Sequence, residues 1–376
     1  MVKSVRKSYE RIRDHLQYVN TLYKPSEYWK IEAESFSYMW NASDEILERL
    51  RDHTHWISGV RSYDYKSHHS YRAKELNYQY QQLKRKSPQL AIYGEPSLLG
   101  DFGFQFKGEL FNIDTLKFHE SILAISLSGN LARLQNLSRP IVCEIGAGWG
   151  GFAAMFLRHV PRAQYVVVDL EPTLIFSGVY LQECFPDKSF GFFGSKDYKG
   201  TEDIIFVTAG QFASWKTSKI DLAINLVSFQ EMTDLQVKCY SEELTSKNTT
   251  VLYSHNKQKS RNNSELSSVN KHFDNWPERT EQEVLEWDYS EMFEHASLSR
   301  IITTDSRIIK IMRLSVAIIE KLPDAIGLKL MSNLKLVAKP SIYNYLMTNF
   351  DDNYFRDRYR HYFFYSNLEF RIMEER

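Results

Sequence analysis

The residues of this sequence best suited to proton transfer each follow a short apolar run. Glu231 lies in Ser228-Phe229-Gln230-Glu231-Met232, at the end of the run at 220–229. His255 lies in Tyr253-Ser254-His255-Asn256, closing the run at 249–256. Histidine, with an ordinary pKa of about 6.5, exchanges a proton near neutrality. A carboxylate can do the same when its pKa is raised, or it can orient a histidine or a hydroxyl. At the carboxyl edge of a parallel sheet, either group would help deprotonate a weakly nucleophilic hydroxyl. The sequence favours His255 as the catalytic base, with Glu231 as the alternative or as its orienting partner.

A second group has the character of a binding site. In Val142-Cys143-Glu144-Ile145-Gly146-Ala147-Gly148-Trp149-Gly150-Gly151 an apolar run enters a glycine turn. Glycines let the chain turn sharply and let a ligand approach the main chain, and the helix beyond offers N–H groups. Asp169 ends the next run, and its carboxylate can accept from both hydroxyls of a ribose. Gln211 follows a third run, where a nucleobase can lie, and Asn225 sits within a fourth, suited to a cofactor or an acceptor. Tyr93, Glu95 and Asp101 lie in a glycine-punctuated stretch at 93–112 and are expected on the acceptor side. The stretch 51–71 carries His53, His55, His68 and His69 beside Trp56. Their spacing is not the i, i+4 pair of a helical metal site, and no cysteine cluster accompanies them. It is expected to form an acceptor lid or ordinary surface, and no metal site is expected.

The elements that must position these groups alternate. Apolar runs at 141–148, 164–170, 203–210, 220–229 and 249–256 are separated by segments of helical period. That pattern predicts a mainly parallel α/β sheet. A single amphipathic helix is expected over 115–136. Late strands are expected from 301–314, with 257–299 forming loops and one or two helices. The first 90 residues are predicted to be mainly helical, with a helix start at Ser43. Helices are also expected around Ala317–Leu330 and Pro340–Met347, and a basic, aromatic packing element over 355–371.

The glycine turn satisfies G-x-G-x-x-G from Gly146 to Gly151, so a dinucleotide is one reading. Glu144, however, disfavours a nearby pyrophosphate and favours a cation such as the sulfonium and ammonium of S-adenosylmethionine (SAM). E-I-G-A-G-W-G-G-F at 144–152 resembles the first motif of the class I SAM-dependent methyltransferases, and V-V-V-D-L at 166–170 their second. D-L-A-I-N-L-V-S-F-Q-E-M at 221–232 is similar to their fourth-strand motif. With Gly100-Asp101-Phe102-Gly103, or the segment from Gly103-Phe104 onward, upstream, the set resembles the sugar O-methyltransferases of bacterial surface-polysaccharide loci.

The resemblance implies a Rossmann-like seven-stranded sheet with a C-terminal reversed hairpin. It also implies contacts to the methionine moiety near Glu144–Gly148 and a ribose contact by Asp169. The Leu170-Glu171-Pro172 sequence departs from the common pattern and makes Glu171 an alternative for the ribose. The activity implied is methylation of a sugar or glycan hydroxyl. The alternatives are O-methylation of another small molecule or natural product, and a non-catalytic SAM-fold or glycan-binding module.

The chain has 376 residues, with 47 Lys plus Arg against 47 Asp plus Glu. That balance gives no broad reason to expect nucleic acid as a partner. Three cysteines suit a reducing compartment, and no run is apolar enough to span a bilayer, so a cytoplasmic protein is expected. The expected organisation is a mainly helical region over 1–136, a SAM-binding domain over 137–315 and a C-terminal helical extension over 316–376. The last of these is also a candidate surface for homo-oligomer or peripheral contacts.

Overall fold

The computed structural model describes residues 2–16, 25–65, 70–100, 102–106, 108–258, 263–283 and 360–366. The N-terminal region folds into α1 (Val2–Leu16), α2 (Glu27–Ser35), α3 (Asp44–Glu48), α4 (Leu50–His53), α5 (His55–Ser58) and α6 (Ser70–Lys86). A two-stranded ribbon follows, β1 (Phe104–Phe106) with β2 (Glu109–Phe111), and then α7 (Ile113–Leu127) and α8 (Asn130–Asn136). The α/β core runs β3 (Ile141–Ile145), α9 (Gly151–His159), β4 (Gln164–Asp169), α10 (Glu171–Cys184), β5 (Phe190–Phe192), β6 (Ile204–Thr208), β7 (Leu222–Leu226), α11 (Asp234–Ser246), β8 (Val251–His255), β9 (Glu278–Glu283) and β10 (Arg360–Tyr365).

The eight-stranded sheet has the order β5-β6-β4-β3-β7-β8-β10-β9. The six strands from β5 to β8 are parallel, and β10 enters antiparallel between β8 and β9. Both faces of the sheet are covered. Val142, Tyr165, Val167, Ile224 and Tyr253 point into one core, while Cys143, Val166, Val168, Ala223 and Leu252 point into the other. That strict alternation is the period-two geometry of strands. Burial on both faces explains why the runs read as continuously apolar.

The N-terminal region packs directly on this core. Helix α1 lies along α10, and Val5, Tyr9 and Ile12 join the same apolar cluster as Phe176 and Val179. Gly178 makes this possible, because a Cβ there would overlap the Ile12 side chain. Ser43 caps α3 by accepting from the Ile46 N–H, as expected.

Several expectations are corrected. The helix expected over 115–136 is two helices, broken at Ser128 and at Gly129, which has φ +75°. Strand β9 falls within the stretch expected to carry only loops and helices. The reversed strand comes from 360–365, where aromatic side chains alternate between the two cores, and not from a helical extension. Asp101, His68, His69 and the segments at 301–314, 317–330 and 340–347 lie outside the described residues. Among the described residues, no helix is long and apolar enough to cross a membrane.

Candidate functional site

The glycine turn sits where β3 ends. Gly146 has φ +72°, a left-handed conformation that favours glycine. A Cβ there would overlap the Ser228 side chain in the loop after β7. The turn is therefore pressed against the neighbouring strand's loop as well as open to a ligand. Gly146 N–H donates to Val168 O at 2.8 Å, tying the turn to β4.

Asp169, at the end of β4, fixes the turn from the other side. Its Oδ2 accepts from Gly148 N–H at 2.7 Å and its Oδ1 from Leu170 N–H at 2.7 Å. Burial pushes its pKa up to about 7 against the pull of those two N–H groups. Glu144 lies on the inner side, accepting from Tyr165 Oη at 2.8 Å, and burial raises it to about 8. Burial therefore favours the protonated form of Glu144 near neutrality, and a neighbouring positive charge would favour the ionised one.

A cavity of about 170 Å³ opens over this turn. Glu144, Gly146, Gly148 and Asp169 form its floor, with Leu226, Val227 and Ser228 along one side. Trp29 of α2, Ile57 of α5 and Asp114, Lys117 and Phe118 of α7 complete the walls. The N-terminal helices thus roof the carboxyl edge of the sheet. The start of α2 is tied to the loop after β7, where Ser26 Oγ donates to Glu231 O at 2.7 Å and Trp29 Nε1 donates to Glu231 Oε2 at 2.9 Å. Glu231 is half-buried, lines the cavity, and is raised to about 7 by burial.

Other residues singled out in the sequence have different placements. Asn225 is fully buried and does not line the cavity; its Nδ2 donates to Ile145 O at 2.8 Å and its Oδ1 accepts from Phe229 N–H at 2.9 Å. Gln211 closes a turn with Thr208, while the cavity is lined instead by Ala209. Glu171 is buried beside the cavity, which is lined by its neighbours Leu170 and Thr173. His255 is 5 % exposed and does not line the cavity; its Nδ1 is 3.3 Å from Ser121 Oγ.

Tyr93 and Glu95, expected on the acceptor side, do not line this cavity. Tyr93 packs against His159, at the far end of α9 from the glycine turn, about 12 Å along the helix. Glu95 is 2 % exposed and receives Arg51 Nε and Nη2, each at 2.8 Å. Arg51 in turn lies 3.6 Å from the Trp149 ring centre, so the pair props up the glycine turn from beneath.

Sequence reasoning missed Trp29 and Lys117, which carry no motif, whereas Ile57 falls within the 51–71 stretch expected to form an acceptor lid or surface. It also missed Val227, whose φ of +53° is strained for a β-branched residue. Val227 N–H donates to His255 O at 2.9 Å, which holds the chain in that conformation at the cavity's edge.

The strand order, the reversed β10 and the glycine turn after β3 decide the architecture. The fold is the Rossmann-like fold of class I methyltransferases, with flanking helical extensions. No family model matches the chain, and no curated protein matches it. Solved structures similar to it include a small RNA methyltransferase, at 15 % identity and TM-score 0.31, with 49 % of this chain and 25 % of that one covered. The magnesium protoporphyrin IX methyltransferase of Synechocystis PCC 6803, with bound S-adenosylhomocysteine (SAH), matches at 16 % identity and TM-score 0.27, over 49 % of this chain and 68 % of that one. Coclaurine N-methyltransferase, bound to N-methylheliamine and SAH, matches at 10 % identity and TM-score 0.31, over 96 % and 99 %. The chain spans a quarter of the RNA methyltransferase's length.

Proposed function

We propose that the chain is a SAM-dependent O-methyltransferase acting on a hydroxyl of a small acceptor. The observation that carries this reading is the cavity floor, where two carboxyl groups, the buried Glu144 and the half-buried Asp169, flank a glycine turn. A cation with a ribose suits that floor. The buried Thr173 Oγ1, which has no hydrogen-bond partner among the described residues, offers a further polar contact. SAM would supply the electrophilic methyl group. Asp169 would accept from the ribose with its remaining lone pairs, and Glu144 would favour the positive charge. Asn225 and Gln211 would support the floor from behind without touching the cofactor.

Glu231 takes the role of base in this reading. It faces the cavity and has a pKa of about 7, close to the value at which a general base works best at neutrality. It would accept the hydroxyl proton as the oxygen takes the methyl group, leaving a methyl ether and SAH. His255 would act behind the wall. A small acceptor is favoured because α2, α5 and α7 roof the cavity. A sugar hydroxyl is the finer reading, supported by the resemblance of 144–152 and 221–232 to the sugar O-methyltransferases.

Titration calorimetry of the full chain with SAM and SAH tests the cofactor. Binding of both is expected, and a folded protein that binds neither would overturn the proposal. A labelled-methyl screen of sugars, nucleotide sugars and non-sugar hydroxyl compounds then tests the acceptor. Transfer to a nitrogen acceptor alone would refute the O-methyl reading.

A further inference from the structure

Behind the cavity wall, three elements bring metal-ligating side chains together. Glu120 comes from α7, His255 from the end of β8 and His361 from β10. One ligand atom of each lies within 4.8 Å of the others, and all three side chains are buried. His361 is fully buried, and its Nε2 makes no hydrogen bond among the described residues. That nitrogen lies 3.4 Å from Glu120 Oε1. Its Nδ1 is fixed by Tyr253 Oη at 2.6 Å, which turns Nε2 toward Glu120.

We propose that Glu120, His255 and His361 form a binding site for a late first-row divalent cation of the Zn²⁺ type. Two imidazoles and one carboxylate suit Zn²⁺ better than Mg²⁺ or Ca²⁺, which prefer all-oxygen shells. The geometry is close to that needed, because ligands about 2.1 Å from a tetrahedral centre lie about 3.4 Å apart. Tyr253 provides the outer hydrogen bond that commonly orients a ligating histidine. A cation would also offset the cost of a carboxylate buried among imidazoles.

The site has a mechanical consequence. Strand β10 reaches the sheet from far along the chain, and the metal would pin it to β8 and α7. Lys117, one helical turn before Glu120, and Leu226, in register with His255, both line the cavity. Metal binding would therefore stiffen the cavity wall from behind, whatever the cavity holds.

The test uses the full chain, stripped with chelator and then dialysed against Zn²⁺ or Co²⁺ alone. One equivalent is expected to be retained, with a rise in melting temperature that Mg²⁺ does not reproduce. X-ray absorption of the zinc form should show two imidazoles and oxygen, with no sulfur. Glu120→Gln and His361→Gln should each lose the equivalent while circular dichroism shows a folded chain. No retained metal in the wild type would overturn the proposal. So would a sulfur ligand, fewer than two imidazoles, or undiminished uptake by either folded variant. Because the absorption spectrum is read on the wild type, the result stands even where a variant does not fold.

Discussion

Trp29 Nε1 donates to Glu231 Oε2 across 2.9 Å, joining the roof of the cavity to the carboxylate best placed to act on an acceptor. The bond stabilises the ionised form, whereas burial disfavours it and dominates, leaving Glu231 at about 7. A base must be deprotonated to act, so the methyl-transfer rate should rise with pH through about 7. Trp29→Phe removes the donor, so the rising limb should move to higher pH. Glu231→Gln should lower the rate at saturating substrates by about 10²–10⁴-fold with little change in SAM affinity. Single-turnover rates across pH check both. A limb that stays in place in Trp29→Phe would detach the titration from Glu231. A larger loss in His255→Ala than in Glu231→Gln would move the base role to His255.

Gly146→Ala should weaken SAM binding and lower the melting temperature. Two costs are combined: a left-handed φ of +72°, and overlap with Ser228. The first is worth about 1–2 kcal/mol for a residue with a Cβ. The second can be separated, since Ser228→Gly removes the colliding side chain. The double variant should recover part of the loss in calorimetry and thermal unfolding. No recovery would mean that the backbone conformation alone sets the requirement for glycine.

The raised carboxyl groups at the cavity give the SAM-free protein an unusual pH dependence. Folding raises Glu144 to about 8 and Asp169 and Glu231 to about 7. Between the unfolded and folded values, the native state binds more protons than the unfolded one, so stability falls as pH rises. The buried His119 and the half-buried His159 are lowered to about 3 and 4, and they act oppositely, adding stability as pH rises through 6.5. The histidine contribution is complete only above about pH 7.5, but between 6.5 and 8 the proton loss of the three carboxyl groups outweighs it. The melting temperature without SAM should therefore fall from pH 6.5 to 8, and Glu144→Gln should flatten the fall. Added SAM should flatten it too if its charge offsets these groups. A melting temperature that does not fall over this range would contradict the burial of these charges.

Much of this arrangement was legible in the sequence, for identifiable physical reasons. The parallel strands are buried on both faces, so Val166-Val167-Val168 and its counterparts stand out as runs. The glycine turn is legible because its geometry restricts residue type. What the sequence hid depends on tertiary assembly. Glu95 is indistinguishable in sequence from an exposed acid until Arg51 is brought beside it. Likewise, the expectation of no metal site rested on spacing within 51–71, and spacing cannot register Glu120, His255 and His361, which meet only when β10 is inserted. Strand β10 was itself obscured, because RHYFFY mixes basic and aromatic residues and its partner β8 lies far back in the chain.

The Arg51–Glu95 pair supplies the last prediction. Both side chains are at most 2 % exposed, and two nitrogens of Arg51 meet the two oxygens of Glu95, each at 2.8 Å. Asn112 Nδ2 also donates to Glu95 Oε1, at 2.6 Å, and Asp114 Oδ2 is 3.7 Å from Arg51. Removing the guanidinium leaves two buried carboxylates without their cation. Arg51→Met should therefore cost about 3–5 kcal/mol in chemical denaturation, more than the pair's net contribution, because the orphaned charge stays buried. Arg51→Lys should recover little, since an ammonium cannot make the forked contact or lie flat against Trp149. Adding Glu95→Gln to Arg51→Met should restore stability, because it removes one stranded charge and keeps an acceptor for Asn112. Additive losses in that double variant would show that the two side chains act independently. The same variants report on the site, because Trp149 belongs to the glycine turn. SAM affinity should fall in Arg51→Met even under conditions where the protein remains folded.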